Sequence, residues 1–521
     1  MWGPCLSARL AFMIWRMGTY SGSGMRRALV SLAICLGGLL VGHCPIAFGQ
    51  FRISPIAGQA SSTFNIVDYG AIADGKTLCS NAINSAITSC DAAGGGRVLV
   101  PAGTYLTGPI VLRSGVEFHL DAGAIVLFSR DFDLYPMVAV NWEGRDTIEC
   151  QSPISGDSLH DVSITGSGVF DGQGDAWRSV KKSKLSGQQW NDLVKTGGLV
   201  DENASTWYPS KSAMEGRADL ARLRASTRPA RMQEYVSFRD LLRPCLLLLS
   251  NCRNVRLEGV TFRNSPCWNL HLFCCDNVSV RNVTAFNYLY AQNGDGIDVD
   301  SCRNVTIADC TIDAGDDDIC LKSGKDEEGR KRGKPTENVT ISNCDIGWGH
   351  GGVTIGSEMS GGVRNVLVSN CIMKGTDIGL RFKTTRGRGG TVENVSVNNI
   401  VMSDITSTAI LFDMYYMEKQ PHPEPVSERT PIFRQFDIRN VVCRGAKNAL
   451  EIRGLEELPI EGITLEHVRL TAESGGTIWD GRDITLRDVH IEAKNGPALQ
   501  TRNVKNLISD PPDSATGQAN P

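Results

Sequence analysis

The chain has no excess of basic charge. Its 53 Lys and Arg against 57 Asp and Glu leave a net charge of −4 and a pI near 6.1, whereas a nucleic-acid binder normally shows a basic face and a high pI. Long hydrophobic runs are also missing: the apolar stretch Ala28–Leu40 is too short to span a bilayer. The spacing of EF-hand ligands does not occur. The Gly-x-Gly-x-Asp string typical of calcium β-rolls occurs once, where such rolls need tandem copies. Helical periodicity is scarce too, with one clear amphipathic segment at Thr77–Ala92 (Ala82, Ile83, Ala86, Ile87, Cys90) closed by Gly94-Gly95-Gly96. What remains, 41% apolar and 21% charged residues, is the composition of a globular protein with an ample core.

Met25-Arg26-Arg27 followed by Ala28–Leu40 has the charged and apolar regions of a secretory signal. Ala47-Phe48-Gly49 supplies the small-x-small cleavage pattern. The expectation is a biological start at Met25, a signal region over 1–49 and a secreted or periplasmic protein with no membrane span after processing. His43 before Cys44 fits a lipoprotein site poorly. Seventeen Cys in an exported chain would suggest disulfides. Many, however, occupy one recurring slot (Cys252, Cys310, Cys344, Cys371), where Cys behaves as a small buried hydrophobe, so mostly free thiols are expected.

A motif, Asn-Val-x-Val/Ile/Leu-x-Asn/Asp-Cys/Val-x-Ile/Val/Phe, starts at Asn254, Asn277, Asn304, Asn338, Asn365 and Asn394 and recurs at roughly 21 to 34 residues. Degenerate copies lie at Val162–Phe170, Phe436–Val442, Ile463–Leu470 and Ile484–Ile491. Each copy holds two short β-branched strands and a polar corner. The pattern predicts an all-β parallel β-helix with one coil per repeat, Asn and Cys ladders along its axis, and the helix at Thr77–Ala92 as a cap on one end. The Asn-Val-Ser/Thr strings are products of the repeat and carry no weight as glycosylation sites. The β-helix is expected over 59–508 as a single domain, with a disordered tail over 509–521. A Lys-, Arg-, Ser- and Trp-rich insertion at about 174–240 and a Pro- and Glu-rich interruption from Met417 to Pro431 break the rhythm. Insertions in solenoids tend to flank the binding face.

The chemistry is concentrated between Asn293 and Lys383, where carboxylates (Asp295, Asp298, Asp300, Asp316, Asp317, Asp318) are followed by Lys322, His350, Arg381 and Lys383. Asp295 and Asp316 stand 21 residues apart, about one coil, and each follows a Gly, so stacking at about 4.8 Å should make them neighbours. Gly315 permits the turn that lets Asp316 and Asp317 share one patch. Carboxylates this close push one another's pKa values apart, giving the acid-and-base pairing that glycoside hydrolysis uses. Arg381 and Lys383, two apart in a strand, point the same way and suit recognition of a substrate carboxylate. Lys325, Arg330, Lys331, Arg332, Arg386 and Arg388 add local positive potential. Asp-rich turns that merely cap backbone, or bind calcium, are the bland alternative for each turn taken alone.

Asn293-Gly294-Asp295, Gly315-Asp316-Asp317, Gly349-His350-Gly351 and Arg381-Phe382-Lys383, in that order on this repeat, resemble the polygalacturonase-type enzymes of glycoside hydrolase family 28. The likeness runs from about Phe64 to Arg502. It implies a right-handed parallel β-helix and hydrolysis of α-1,4-linked galacturonan, an acidic polysaccharide, with inversion. By the same resemblance Asp316 is the general acid, Asp295 and Asp317 activate water, and His350 tunes the acid. Arg381 and Lys383 bind the galacturonate carboxylate; Asn293, Lys322 and Tyr415 are further substrate contacts. No metal or organic cofactor and a monomeric state are implied. Two residues depart from the family pattern: Gly294 replaces the usual Thr and Asp318 the usual Cys. The insertion and Gly356–Gly362 resemble exo-acting members. Hydrolysis of rhamnogalacturonan or other uronic-acid glycans, and a non-catalytic polysaccharide-binding β-helix, are the competing readings.

Overall fold

The computed structural model describes residues 62–225, 231–418 and 422–510. The expected signal region lies outside them, as does the expected tail beyond residue 510. Thirty of the described strands hydrogen-bond, in parallel, into one continuous sheet wound as a right-handed β-helix. One face of the solenoid stacks Leu247–Ser250, Leu270–Phe273, Ile297–Asp300, Asp317–Lys322, Gly351–Ile355, Ile378–Lys383, Thr408–Asp413 and Asn448–Arg453. Register along this face fixes the core. Leu247, Leu270, Ile297, Ile319, Val353, Leu380, Ile410 and Leu450 are successive partners pointing inward, and all are buried. Each contributes on the order of 1.5–3 kcal/mol from apolar burial.

The corners explain the Asn motif. Asn254, Asn277, Asn304, Asn338, Asn365 and Asn394 all have φ between +55° and +58°, a left-handed conformation that Asn tolerates better than other side chains. Their amides form a ladder in which each donates to the Oδ1 of the coil before it, at 3.2, 3.3, 3.0, 3.0 and 2.7 Å from Asn277 to Asn394. Asn370 and Asn399 extend a second ladder from Asn343. The fourteen described cysteines are all unpaired thiols, and only Cys274 is not fully buried.

The helix spans Ser80–Ala92 and buries the five predicted apolar residues against the first coils. It starts three residues later than predicted because Asp74–Leu78 pairs as a strand with Gly103–Thr107, and Asp74 ties down the Thr77 N–H and hydroxyl. The insertion folds as helices Gly187–Lys195, Lys211–Glu215 and Arg217–Arg224 with a small antiparallel sheet. Fully buried Arg178 pins it to the coils, donating to Asn264 Oδ1 at 2.7 Å and to the Ser265 carbonyl. A second excursion was not anticipated: an antiparallel hairpin, Met137–Trp142 with Arg145–Cys150, turning at Glu143-Gly144. No helix among the described residues is long and apolar enough to cross a membrane.

Candidate active site

The stacked face brings the carboxylates together, one residue out of the predicted register. Ile297 aligns with Ile319, so Asp295 stands beside Asp317, and the Gly315 N–H bonds to the Gly294 carbonyl at 3.0 Å. Coil spacing here is therefore 22 residues, and Asp316 sits in the turn before the strand. Oxygens of Asp295, Asp316 and Asp317 all lie within 4.8 Å of one another. Asp317 and Asp295 are buried, while Asp316, with 26% of its side chain exposed, is the member open to solvent.

The three differ sharply in electrostatics. Burial works against ionised Asp317, but Lys383 on Oδ2 at 2.6 Å and Arg381 on Oδ1 at 2.8 Å hold it far below the ordinary carboxyl range. Burial, then Asp298 and Asp316, push Asp295 well above that range. For Asp316 burial is overcome by the hydrogen bond from His350, whose Nδ1 is 3.3 Å from Oδ1, and its pKa is lowered. Three oxygens so close could face a cation. Here, however, both oxygens of Asp317 are occupied by the two side-chain cations.

Beside the patch runs a polar row. The row His271, Asp298, Cys320, Thr354 is in register across four coils and fully buried. Lys322, only 3% exposed, lies 3.5 Å from Asp298, 3.5 Å from Glu358 and 3.7 Å from Asp295, and 4.6 Å above the Trp268 ring. The amine predicted to meet substrate is thus buried among three carboxylates. Burial lifts Asp298 to about 8 in spite of Lys322, whereas Lys322, Lys325 and Lys383 hold half-buried Glu358 at about 2. Asp318 points away from the patch into the interior. Burial, then Asp317 and Asp313, push it well above the ordinary carboxyl range, which disfavours its charged form.

The glycines of Gly349-His350-Gly351 follow from close approach. A Cβ at 349 would strike the Asp318 carboxyl, and one at 351 would lie 2.9 Å from Arg381 Cδ and 3.0 Å from Asp317 Oδ1. Tyr415 does not face the paired cations. Its ring lies 4.9 Å from Arg386 and 5.5 Å from Arg453, and its hydroxyl accepts from the Glu456 N–H. Its neighbour Tyr416 is the one beside them, 5.1 Å from Lys383 and 5.6 Å from Arg381. Of the loop cations expected to add positive potential, Arg386 is bound by Glu418 and Glu457, Arg388 by Asp326, and Lys331 by Glu327. Their field is locally cancelled.

Asn293 Oδ1 accepts from Arg243 Nη2 at 3.0 Å at the mouth of a cavity of about 630 Å³. The insertion (Arg217, Leu220, Arg224) and the hairpin (Trp142, Glu143, Arg145) form its walls. It lies on the side of the carboxylates toward the earlier coils, opposite Arg381 and Lys383. The hairpin tip is locked in place: Lys325 donates its N–H to the Gly144 carbonyl at 3.3 Å, and Trp142 packs 4.4 Å from Trp268. The insertion also reaches the patch itself, with Lys184 Nζ 2.9 Å from His350 Nε2. Glu358 lies within the Gly356–Gly362 string noted in the sequence, whereas Lys184, Arg243 and Tyr416 were not singled out. Of these three, only Tyr416 carried a signal, as the neighbour of a residue that was.

Residues 238–498 match the family described as glycosyl hydrolases family 28, and 63–125 match rhamnogalacturonase A/epimerase, pectate lyase-like. The chain is 30% identical to a hyperthermoactive exopolygalacturonase from Thermotoga maritima, with a TM-score of 0.67, covering 86% of this chain and 92% of that one. It is 27% identical to the family 28 exopolygalacturonase of Yersinia enterocolitica, with a TM-score of 0.70 over 87% and 79% of the two chains. An endo-polygalacturonase of Pectobacterium carotovorum subsp. carotovorum is 28% identical over 425 residues, 80% of this chain and 89% of the relative. Four motifs converging on one face of a right-handed β-helix, and a family match over half its length, make this chain a member of glycosyl hydrolase family 28 and a glycoside hydrolase of the polygalacturonase type.

Proposed function

We propose that the enzyme hydrolyses α-1,4-galacturonosidic bonds of pectic galacturonan from chain ends, with inversion. The observation that carries the exo mode is the walled cavity beside Asn293. An endo-acting enzyme needs a cleft open on both sides of its carboxylates, whereas here the hairpin and insertion line a cavity next to Asn293 on one side. The volume of about 630 Å³ suits a few sugar units, within the usual range of ligand pockets.

In this reading the patch shares protons among its three carboxylates. In the free protein the surroundings favour the proton on Asp295 and the ionised form of Asp317. Bound substrate covers Asp316 and removes its water, which favours the neutral form, and the shared proton passes to Asp316. Asp316 then gives that proton to the glycosidic oxygen as the bond from the anomeric carbon breaks. Water attacks the opposite face and yields its proton to Asp295 or Asp317. Asp317 is a poor nucleophile because Arg381 and Lys383 occupy both its oxygens, which favours water as the attacking group. The carboxylates stand closer than the roughly 6.5–9.5 Å usual for inverting pairs, so inversion rests on the family resemblance. Tyr416, Arg381 and Lys383 receive the substrate carboxylate, while Lys322 organises the carboxylates of the enzyme. We also read the enzyme as an exported monomer, from the charged and apolar segments Met25–Leu40 and the family resemblance.

The test is to incubate the enzyme with polygalacturonate, resolve products by size and follow the anomer by proton NMR. Mono- or digalacturonate from the first minutes, with slow loss of viscosity and the β-anomer formed, is the expected result. A ladder of oligomers with rapid viscosity loss would overturn the exo reading, and the α-anomer would overturn inversion.

A further inference from the structure

We infer that Lys184, supplied by the insertion, is a positioning residue that fixes the tautomer of His350 and so keeps its proton on Nδ1, beside Asp316. The inference deepens the galacturonan-hydrolase reading and rests on it only for the kinetic half of its test. An ammonium has donors and no acceptor. With Lys184 Nζ 2.9 Å from His350 Nε2, that nitrogen must accept, so the ring carries its single proton on Nδ1. Nδ1 lies 3.3 Å from Asp316 Oδ1, so the proton sits on the ring nitrogen beside the carboxyl that faces substrate. In the opposite tautomer two donors would meet at Nε2, and Asp316 would face a bare lone pair.

The other groups around the ring do not achieve this. Asp377 Oδ2 is 3.8 Å from Nε2 and, as an acceptor, would draw the proton to the wrong nitrogen. Arg381 Nη1 approaches only the His350 carbonyl, at 3.5 Å. Asp295 and Asp317 lie beyond Asp316 in the patch. Lys184 thus opposes Asp377. Lys184 follows the short strand Val180–Lys181 in a turn over Lys182–Lys184. That turn packs against a cluster of Val180, Trp190 and Trp207, which Leu185 and Tyr290 adjoin. The same excursion that walls the cavity therefore also sets a proton in the reacting centre.

The test pairs a readout independent of activity with a kinetic one. With 15N-labelled histidine in the full chain, long-range 1H–15N spectra report the protonated nitrogen of each of the eight His, and His350→Gln assigns the signal. In the unaltered protein at neutral pH, His350 should show a bare Nε2 and a protonated Nδ1. In Lys184→Met this should give way to a mixture, or to proton on Nε2. In kinetics, removing Lys184 should release the proton from Nδ1 beside Asp316. The pH profile of kcat/KM should then change, with kcat lowered more than KM is raised, and Lys184→Arg should restore both. A protonated Nε2 in the unaltered protein overturns the inference, even if Lys184→Met fails to fold. A Lys184→Met enzyme with the original tautomer and pH profile, changed only in KM, would overturn it equally and make Lys184 a substrate ligand. If polygalacturonate is not cleaved at all, the spectra still decide the tautomer, and the substrate reading alone fails.

Discussion

The coils and the excursions from them divide the labour. Asp295, Asp316, Asp317, His350, Arg381 and Lys383 sit on successive turns of one stacked face, where backbone register sets their spacing. The cavity walls, the hairpin at Met137–Cys150 and the insertion up to Arg243 belong to no coil. In the proposed reading the β-helix supplies the reacting centre along its face, and the added segments govern how a polymer reaches it. This separation makes chemistry and access independently breakable.

The largest effect should come from the coils. Asp316→Asn keeps shape and removes the proton, so kcat should fall about 10²–10⁴-fold while the melting temperature stays close to that of the parent. Reducing-sugar release and thermal unfolding measured together check both. An equal fall in activity and stability would mean that Asp316 holds the turn rather than the chemistry.

Access should yield next, without loss of the chemistry. Gly144 has φ +76°, and a Cβ there would lie 2.5 Å from the Lys325 N. Gly144→Val should lift the hairpin off the loop at Lys325. Product analysis on polygalacturonate should then shift from mono- or digalacturonate toward longer oligomers, with kcat within about threefold of the parent, since no reacting group moves and a threefold change is well under 1 kcal/mol. Unchanged product lengths would place the barrier in the insertion alone.

The comparison also explains what the sequence disclosed. The solenoid was legible because its corners repeat Asn at left-handed φ and its inward positions repeat β-branched or Leu residues, both local signals. The members of the reacting patch were legible for the same reason, since one coil per repeat brings motifs of equal phase together. The one-residue slip that puts Asp295 beside Asp317 was not, because the turn at Ala291–Gly294 absorbs a residue without altering the strand pattern. Lys322 and Tyr415 show a second limit. A lysine amid acidic residues looks like a ligand until its burial beside Asp295, Asp298 and Glu358 is seen, and which of two adjacent tyrosines faces Arg381 depends on the turn after Asp413. The hairpin had a two-residue Glu-Gly turn between alternating strands, a readable signal, masked by the surrounding strand-rich run. Lys184 carried no local signal, since its role depends on a tertiary contact.

A smaller, pH-dependent effect should arise beside the patch. Asp298 ionises near 8 when folded and near the ordinary carboxyl value of about 4 when unfolded. Between these values the folded state binds the extra proton. Its contribution to stability is fully present below about pH 4, is lost as pH rises toward 8, and changes by at most about 1.4 kcal/mol per pH unit. Asp298→Asn cannot ionise, so its melting temperature relative to the parent should climb between pH 5 and pH 9. A constant difference across that range would show that Lys322 neutralises Asp298 throughout.

The smallest effect should fall on the coils away from the site, and it separates architecture from chemistry most cleanly. Asn338 donates to Asn304 and accepts from Asn365, both at 3.0 Å, at φ +57°. Asn338→Ala loses one rung on each side and gains left-handed strain of roughly 1–2 kcal/mol; each exposed hydrogen bond adds about 0.5–1.5 kcal/mol. Asn338→Gly loses the same bonds without the strain, so the gap between the two variants isolates the conformational part. Because each coil contacts only its neighbours, neither variant should alter kcat or product length. The melting shift should be only a few degrees, since unfolding entropy grows with chain length. A change in product profile from either would mean that strain at a corner travels around the coil to the reacting face, and that architecture and chemistry are coupled after all.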